Sequence, residues 1–422
     1  MNTELLTRVA SSLAAAFFIA GCGVDSSTGP ISESISGGSP SGTTSTTESS
    51  FDSVEMIADI SGLVITAQYE TAANLTSKFS SPGEALDQYC ESIGSETEAS
   101  SESAAQEAWR QTMAAIQAIE MHAIGPAAKN EGALRNRVLG YSNGTLSTCG
   151  IDQAAILNSQ EGFAISTRAA NQRGFGAVGY LLFNEDLTHS CASQVPETQS
   201  WDALTTAEKK AMRCSLAQTI SADVAEAAQT LSSEWQAYGP TFNSVSENGA
   251  SLQLMTDAFF ALDKLVKDQK LAVPLGIKSD CSSINCASVV ESIYSENTFA
   301  NIRTNLISFR ELFSGGDGLG FDDLIREEGF PEVTQRFIDN TNAAIDIIDN
   351  HSGASLYEEA SSITSESAST SCANAYVSPD TPSEYTGCRL TGAIKRVTDD
   401  LKIDFVTIVG TSIPDSAQTD ND

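Results

Sequence analysis

An all-α fold, built as two helical-bundle-like halves, is what this sequence predicts, on three observations. Helix start and stop signals recur along the chain after residue 50. Apolar residues between them recur with the helical period. Alternating, strand-like patterns are scarce.

The elements follow in order. Asp52, with Glu55 three residues on, reads as a capping box ahead of Val54, Ile57 and Ala58. Ser81-Pro82-Gly83-Glu84 reads as a helix start, with a cap, a proline and an acid in the first turn. Residues 101–124 are alanine-rich and stop at Gly125-Pro126. Cys149 to about Arg168 reads as a helix, and Phe175 to Phe183 as a short apolar one. Thr205-Thr206-Ala207-Glu208 opens a long helix carrying Met212, Leu216, Ile220, Val224 and Leu231 on one side. Further helices are predicted at 251–271, 297–313, 331–350 and 389–409. Ile403 to Val409 has a strand-like density of apolar residues. The wider spacing Leu390, Ile394, Val397, Leu401, Phe405, Ile408 nevertheless fits a helix. A boundary near Tyr238-Gly239-Pro240 divides residues 51–238 from 239–411. The Ser/Thr-rich stretch 361–388 is expected as a surface loop, and residues 412–422 as a disordered acidic tail.

The first fifty residues read as export and anchoring. After Arg8 an apolar run extends from Val9 to Ala20, shorter than the roughly 20 apolar residues a spanning helix needs. It has the shape of a signal-peptide core, so residues 1–21 are predicted to be removed. Small residues lead into Cys22, as in Ile19-Ala20-Gly21-Cys22. That arrangement suits cleavage before the cysteine and lipid attachment to its thiol. Gly23, in place of an aspartate, points to an outer-membrane rather than inner-membrane destination. Ser, Thr, Gly and Pro make up 22 of the 28 residues from 23 to 50. Such a segment buries too little apolar surface to offset its ordering entropy and reads as a tether.

Composition bounds the partners. A net charge of −32, from 23 basic and 55 acidic residues, excludes nucleic-acid binding, which requires basic patches. The expected partners are the membrane, through lipid on Cys22, and an unidentified ligand or envelope protein. Of nine cysteines, eight remain after Cys22: Cys90, Cys149, Cys191, Cys214, Cys281, Cys286, Cys372 and Cys388. An even count in an exported chain reads as four disulfides. Nearness in sequence suggests Cys281–Cys286, Cys372–Cys388, Cys191–Cys214 and Cys90–Cys149. No CxxC pair supports zinc.

Catalytic signals are sparse. There are three histidines, His122, His189 and His351, and neither an HExxH nor a GxSxG motif. His351 stands at a predicted helix end, where an imidazole can cap carbonyls. The stretch Ser314 to Asp323 is glycine-rich, but its three aspartates would repel phosphate and its spacing does not match an EF-hand. A tight turn between helices is expected there.

Four segments together resemble the imelysin-like family of bacterial envelope proteins. They are Trp109 with Glu120 and Gly125-Pro126-Ala127; Cys149 with Asp152-Gln153; Arg173 to Phe183; and Asn297 to Ile302 leading into Phe313 to Gly318. The resemblance implies two bundle-like halves with a site in the cleft between them. It also implies residence in the envelope. The family was first described through a proteolytic member; relatives are linked to iron uptake, and one branch to polysaccharide binding. Its GxHxxE signature falls on Gly174-Phe175-Gly176-Ala177-Val178-Gly179. A histidine and a glutamate three apart on a helix would share one side and one cation. Here both positions are glycine, Gly176 and Gly179, so neither catalysis nor a bound cofactor is expected. Glu120 and Asp152 match positions the family keeps acidic, and the resemblance implies that they line the cleft. A non-catalytic ligand- or partner-binding lipoprotein is the leading expectation, and the resemblance implies that it serves iron or other metal acquisition. A metallopeptidase and a purely structural adaptor are the alternatives.

Overall fold

The computed structural model describes residues 51–141 and 144–418. The signal peptide, Cys22 and the tether lie outside them. Every element among the described residues is helical. The helices used below are α1 (Ala67–Phe79), α2 (Ala85–Ser92), α3 (Glu98–Glu120), α4 (Thr148–Leu157), α5 (Phe175–Phe183), α6 (Thr206–Phe242), α7 (Leu262–Ala272), α8 (Thr298–Ser314), α9 (Pro331–Asp349) and α10 (Thr386–Asp400).

Local chemistry sets several of the ends. Asp52 caps the first described helix, Ser53–Asp59, by accepting from the N–H groups of Val54 and Glu55. The box at α6 is complete: the Thr205 hydroxyl accepts from the Glu208 N–H, and the Glu208 carboxylate from the Thr205 N–H. The glycine-rich stretch is a turn, as expected. Gly315, at φ +69°, closes α8, and Asp59 reaches across to accept from the Leu319 N–H at 2.9 Å.

Other expectations are corrected. Ser81-Pro82-Gly83 forms a turn, and α2 begins only at Ala85. Gly83 sits at φ +78°, outside helical space, and its N–H donates to the Asp87 carboxylate. The helix from Cys149 stops at Leu157, well short of Arg168, and Gly162 at φ +87° follows in the turn beyond. The proline at 240 does not end α6, which runs on to Phe242. The predicted loop 361–388 contains a helix, Glu366–Val377, pinned by Cys372 to α10. The tail is ordered as far as described: Asp415–Gln418 is helical and buries Ala417 against α7.

Packing brings distant segments together. The long α6 lies against α1, α2, α4 and α5, while α10 lies against α7, α9 and Glu366–Val377. Helix α8 touches α3 on one side and α7 and α9 on the other, so it joins the two sets. Trp109, Trp201 and Trp235 are fully buried.

All eight cysteines of the described region are paired. Cys281–Cys286 and Cys372–Cys388 are the neighbours expected. The other two pairs are exchanged: Cys90 bonds Cys214, and Cys149 bonds Cys191. Nearness in sequence misleads there because α6 lies along α2 and carries Cys214 to it. The Ser190 N–H, next to Cys191, is held by Asp152 on α4, the helix of Cys149.

Candidate functional site

The helix expected to carry a histidine and a glutamate is α5, buried from Phe175 to Leu182. Its two glycines are filled in by neighbours. A Cβ on Gly176 would lie 2.5 Å from a ring carbon of Tyr141, and one on Gly179 2.6 Å from a ring carbon of Trp109. Trp109 cannot easily retreat. It is fully buried, stacks on Phe175 at 5.7 Å, and donates its indole N–H to the Phe175 carbonyl at 3.1 Å. Tyr141 is also held, because its hydroxyl accepts from the Ser292 N–H at 3.0 Å. Aromatic rings therefore occupy the space that a histidine and a glutamate would need. Residues of this site do not fit a metal held in that manner, and no group of three metal-ligating side chains occurs among the described residues.

Glu120, at the end of α3, enters a buried ionic cluster. The Lys270 ammonium, on α7, donates to Glu120 at 2.6 Å, to Gln117 at 2.5 Å and to Asn305 at 3.0 Å. Its second carboxylate is Glu291, at 3.3 Å. Glu291 is satisfied further by the amides of Gln117 at 2.7 Å and Asn301 at 2.8 Å. Helix α7 is wound more widely than an α-helix over Leu262–Ala272, with the Val273 N–H reaching back five residues to Asp268. Burial raises the Glu291 carboxyl, and nearby Glu120 adds to this, while Lys270 opposes it. For Lys270, desolvation disfavours the charge, but the two carboxylates outweigh it and hold the ammonium above its usual range.

Asp152, on α4, sits in a different cluster and is fully buried. It accepts from the Tyr180 hydroxyl at 2.9 and 3.1 Å, from the Ser190 N–H at 2.7 Å and from the Ser190 hydroxyl at 2.9 Å. Its nearest cation is Arg213, 4.0 Å away, whose guanidinium also donates to three backbone carbonyls. Other nearby arginines have other partners: Arg173 pairs with Asp223, and Arg168 donates to the Gly150 carbonyl.

Glu120 and Asp152 share no partner, yet both clusters support one segment. Glu291 belongs to the first. Three residues on, Tyr294 packs edge-on against Tyr180 of the second, with centroids 4.8 Å apart. Between them Ser292 holds φ at +59°, a conformation that side chains rarely adopt, and is buried. Two anchored flanks thus hold a strained segment in one conformation. No spacing in the sequence marks Lys270, Glu291, Tyr141 or Tyr294, because each acts across segments far apart in the chain.

Two of the three histidines, His122 and His351, are held by neighbouring groups. His122 lies beyond the end of α3, is fully buried, and meets the Gln68 side chain at 2.8 Å. Burial pushes it down to about 3, so it stays neutral. His351 does not cap the helix before it: its ring meets the Ala354 carbonyl, beyond the end of α9, at 2.8 Å and the Thr386 hydroxyl at 3.0 Å.

A family model described as imelysin, peptidase family M75, matches residues 65–375. Two solved structures share the fold. One is an imelysin-like protein from Psychrobacter arcticum 273-4, with TM-score 0.59 and 11% identity, covering 86% of this chain and 96% of that one. The other is from Parabacteroides distasonis ATCC 8503 and is provisionally assigned as an iron-regulated protein A precursor. Its TM-score is 0.54 at 16% identity, covering 83% of this chain and 95% of that one. No curated protein matches the sequence at a significant level.

Proposed function

Given that this chain belongs to the imelysin family, we propose that it is a non-catalytic member, anchored to the cell envelope by lipid on Cys22, that acts by binding a ligand or partner around residues 291–294. The observation that carries the reading is the filling of Gly176 and Gly179 by the rings of Tyr141 and Trp109. A second supports it: the carboxylates that would attract a cation already enclose the Lys270 ammonium. A metallopeptidase needs a metal-activated water and an open coordination position, and neither glycine supplies a ligand. The name of one fold neighbour, an iron-regulated protein A precursor, supports extending this reading to iron acquisition, with the chain as a binding component that does not grip the bare ion.

Two measurements test it. Metal content and thermal unfolding of the purified chain should be indifferent to iron, zinc, copper, manganese and calcium. A ligand at 100 times its dissociation constant stabilises by about 2.7 kcal/mol, so binding would be visible. Stoichiometric metal lost in Glu120→Gln would overturn the non-metal reading. Palmitate labelling of the full precursor should disappear in Cys22→Ser; labelling that persists would overturn the anchor.

A further inference from the structure

We infer that the cavity bordered by Tyr141, Tyr294 and Tyr357 is an aromatic cage that binds a quaternary ammonium group. The inference rests on the binding reading above and names the chemistry of the ligand. The cavity holds ≈ 460 Å³, within the roughly 300–1,000 Å³ typical of small-molecule sites. Its three tyrosines come from three separate segments of the chain. Among the described residues their rings do not stack on one another, and the open space lies between them. Tyr294 is 37% exposed and Tyr357 39%, so two of the three rings stay open to an incoming ligand.

Charge selects a cation. No charged side chain lines the cavity among the described residues, so an anion would find no counter-ion there. Behind the wall, Glu120 and Glu291 face the single Lys270 ammonium, two acids against one base. Burial raises the Tyr141 and Tyr294 hydroxyls; Glu291 adds to the first and Asp152 to the second, where Arg213 opposes more weakly. Such a field resists negative charge, as does the chain's net charge of −32. The lining then selects among cations. A primary ammonium has three N–H donors, which lose water on entry and need strong acceptors in return. The cavity lining offers no carboxylate. A quaternary ammonium has no N–H to satisfy. Its methyl groups can pack on Leu146, Val290 and Ile293, and its spread positive charge is attracted to tyrosine ring faces. The wall is also fixed in advance. Tyr294 packs on Tyr180, which Asp152 holds, and the Tyr141 hydroxyl accepts from the Ser292 N–H. Rings held in place lose little entropy on binding.

The test is isothermal titration of the purified chain with three probes: choline, ethanolamine as the primary ammonium, and a neutral dimethylbutanol, the carbon isostere of choline that lacks only the charge. Choline should bind at least about tenfold tighter than either of the others. Tyr294→Ala and Tyr357→Ala should each weaken choline about tenfold, while Tyr357→Phe, which keeps the ring, should hold it within about twofold. Circular dichroism of each variant checks folding, and Tyr357, exposed on the helix Leu356–Ser362, is the position that disturbs the core least. A fourth probe, glycerophosphocholine, separates two sources of the same group: tighter binding than choline assigns a lipid headgroup, and weaker binding a free cation. Choline that fails to bind, or that binds equally well in both alanine variants, overturns the inference. So does a neutral isostere that binds as tightly as choline; if both are then lost in Tyr294→Ala, the binding reading still stands. Stoichiometric metal lost in Glu120→Gln, with no choline bound, would overturn that reading as well.

Discussion

Glu120 and Asp152 are both buried carboxylates on helices that meet the same segment, yet they are stabilised differently. Glu120 faces a full ammonium at 2.6 Å and shares it with a second carboxylate. Asp152 is held by hydroxyl and backbone donors, with its cation at 4.0 Å. Removing one partner of a buried pair leaves an uncompensated charge, whereas removing one of several neutral donors leaves a shared deficit. The first centre should therefore be brittle and the second forgiving.

The largest expected effect is at Lys270. Lys270→Met leaves Glu120 and Glu291 facing each other without a cation and should cost about 3–5 kcal/mol in urea unfolding. A loss no larger than that of a surface substitution would break the contrast. Because the Lys270 value is raised in the fold, its stabilisation is complete below the ordinary 10.5 and fades as pH rises through the raised value. That alkaline decline should be absent in the methionine variant. Next comes Asp152→Asn, which keeps one acceptor and should cost about 2 kcal/mol, read by the same unfolding curve. Equal losses at the two centres would show that charge is not the difference between them.

Gly179→Ala comes third. Alanine normally favours a helix, but the Trp109 ring at 2.6 Å should turn that gain into a loss of about 1–2 kcal/mol. Measured stabilisation instead would mean that Trp109 moves aside and the space is open. The smallest effect is at Glu291→Gln, which keeps an oxygen for Gln117 and Asn301 and removes the excess carboxylate. Stability near neutral pH should change by less than about 1 kcal/mol, in the favourable direction. Glu291 is raised in the fold, so its contribution grows as pH falls through that raised value and levels off below the ordinary 4.5. Thermal unfolding from pH 7 to 4 should show that gain in the native chain and not in the glutamine variant.

The fold class was legible because helices announce themselves locally. The capping box at Thr205 and the apolar run Phe175 to Phe183 needed only neighbours in sequence, and both helices stand where expected. Ser81-Pro82-Gly83 misled, because a proline start and a glycine turn use the same letters and only φ distinguishes them. The site was legible by half. The resemblance singled out Glu120, Asp152 and the two glycines, but not what surrounds them. Tyr141 faces Gly176 from 35 positions upstream by the numbering, and Lys270 meets Glu120 across 150. No periodicity within one helix encodes such a meeting.

The exchanged cysteine pairs have a consequence for how the chain is made. Cys149–Cys191 is nested inside Cys90–Cys214, with sequence separations of 42 and 124. An oxidant acting on thiols in order of synthesis meets Cys90 and Cys149 first, and joining them forbids both native bonds. The native map is reached only if Cys90 waits for α6, or if a premature bond is reshuffled, which takes on the order of minutes to hours uncatalysed. Maturation of this protein is therefore a problem of timing as much as of packing, and its yield in any host should follow thiol-exchange capacity more closely than the supply of oxidant.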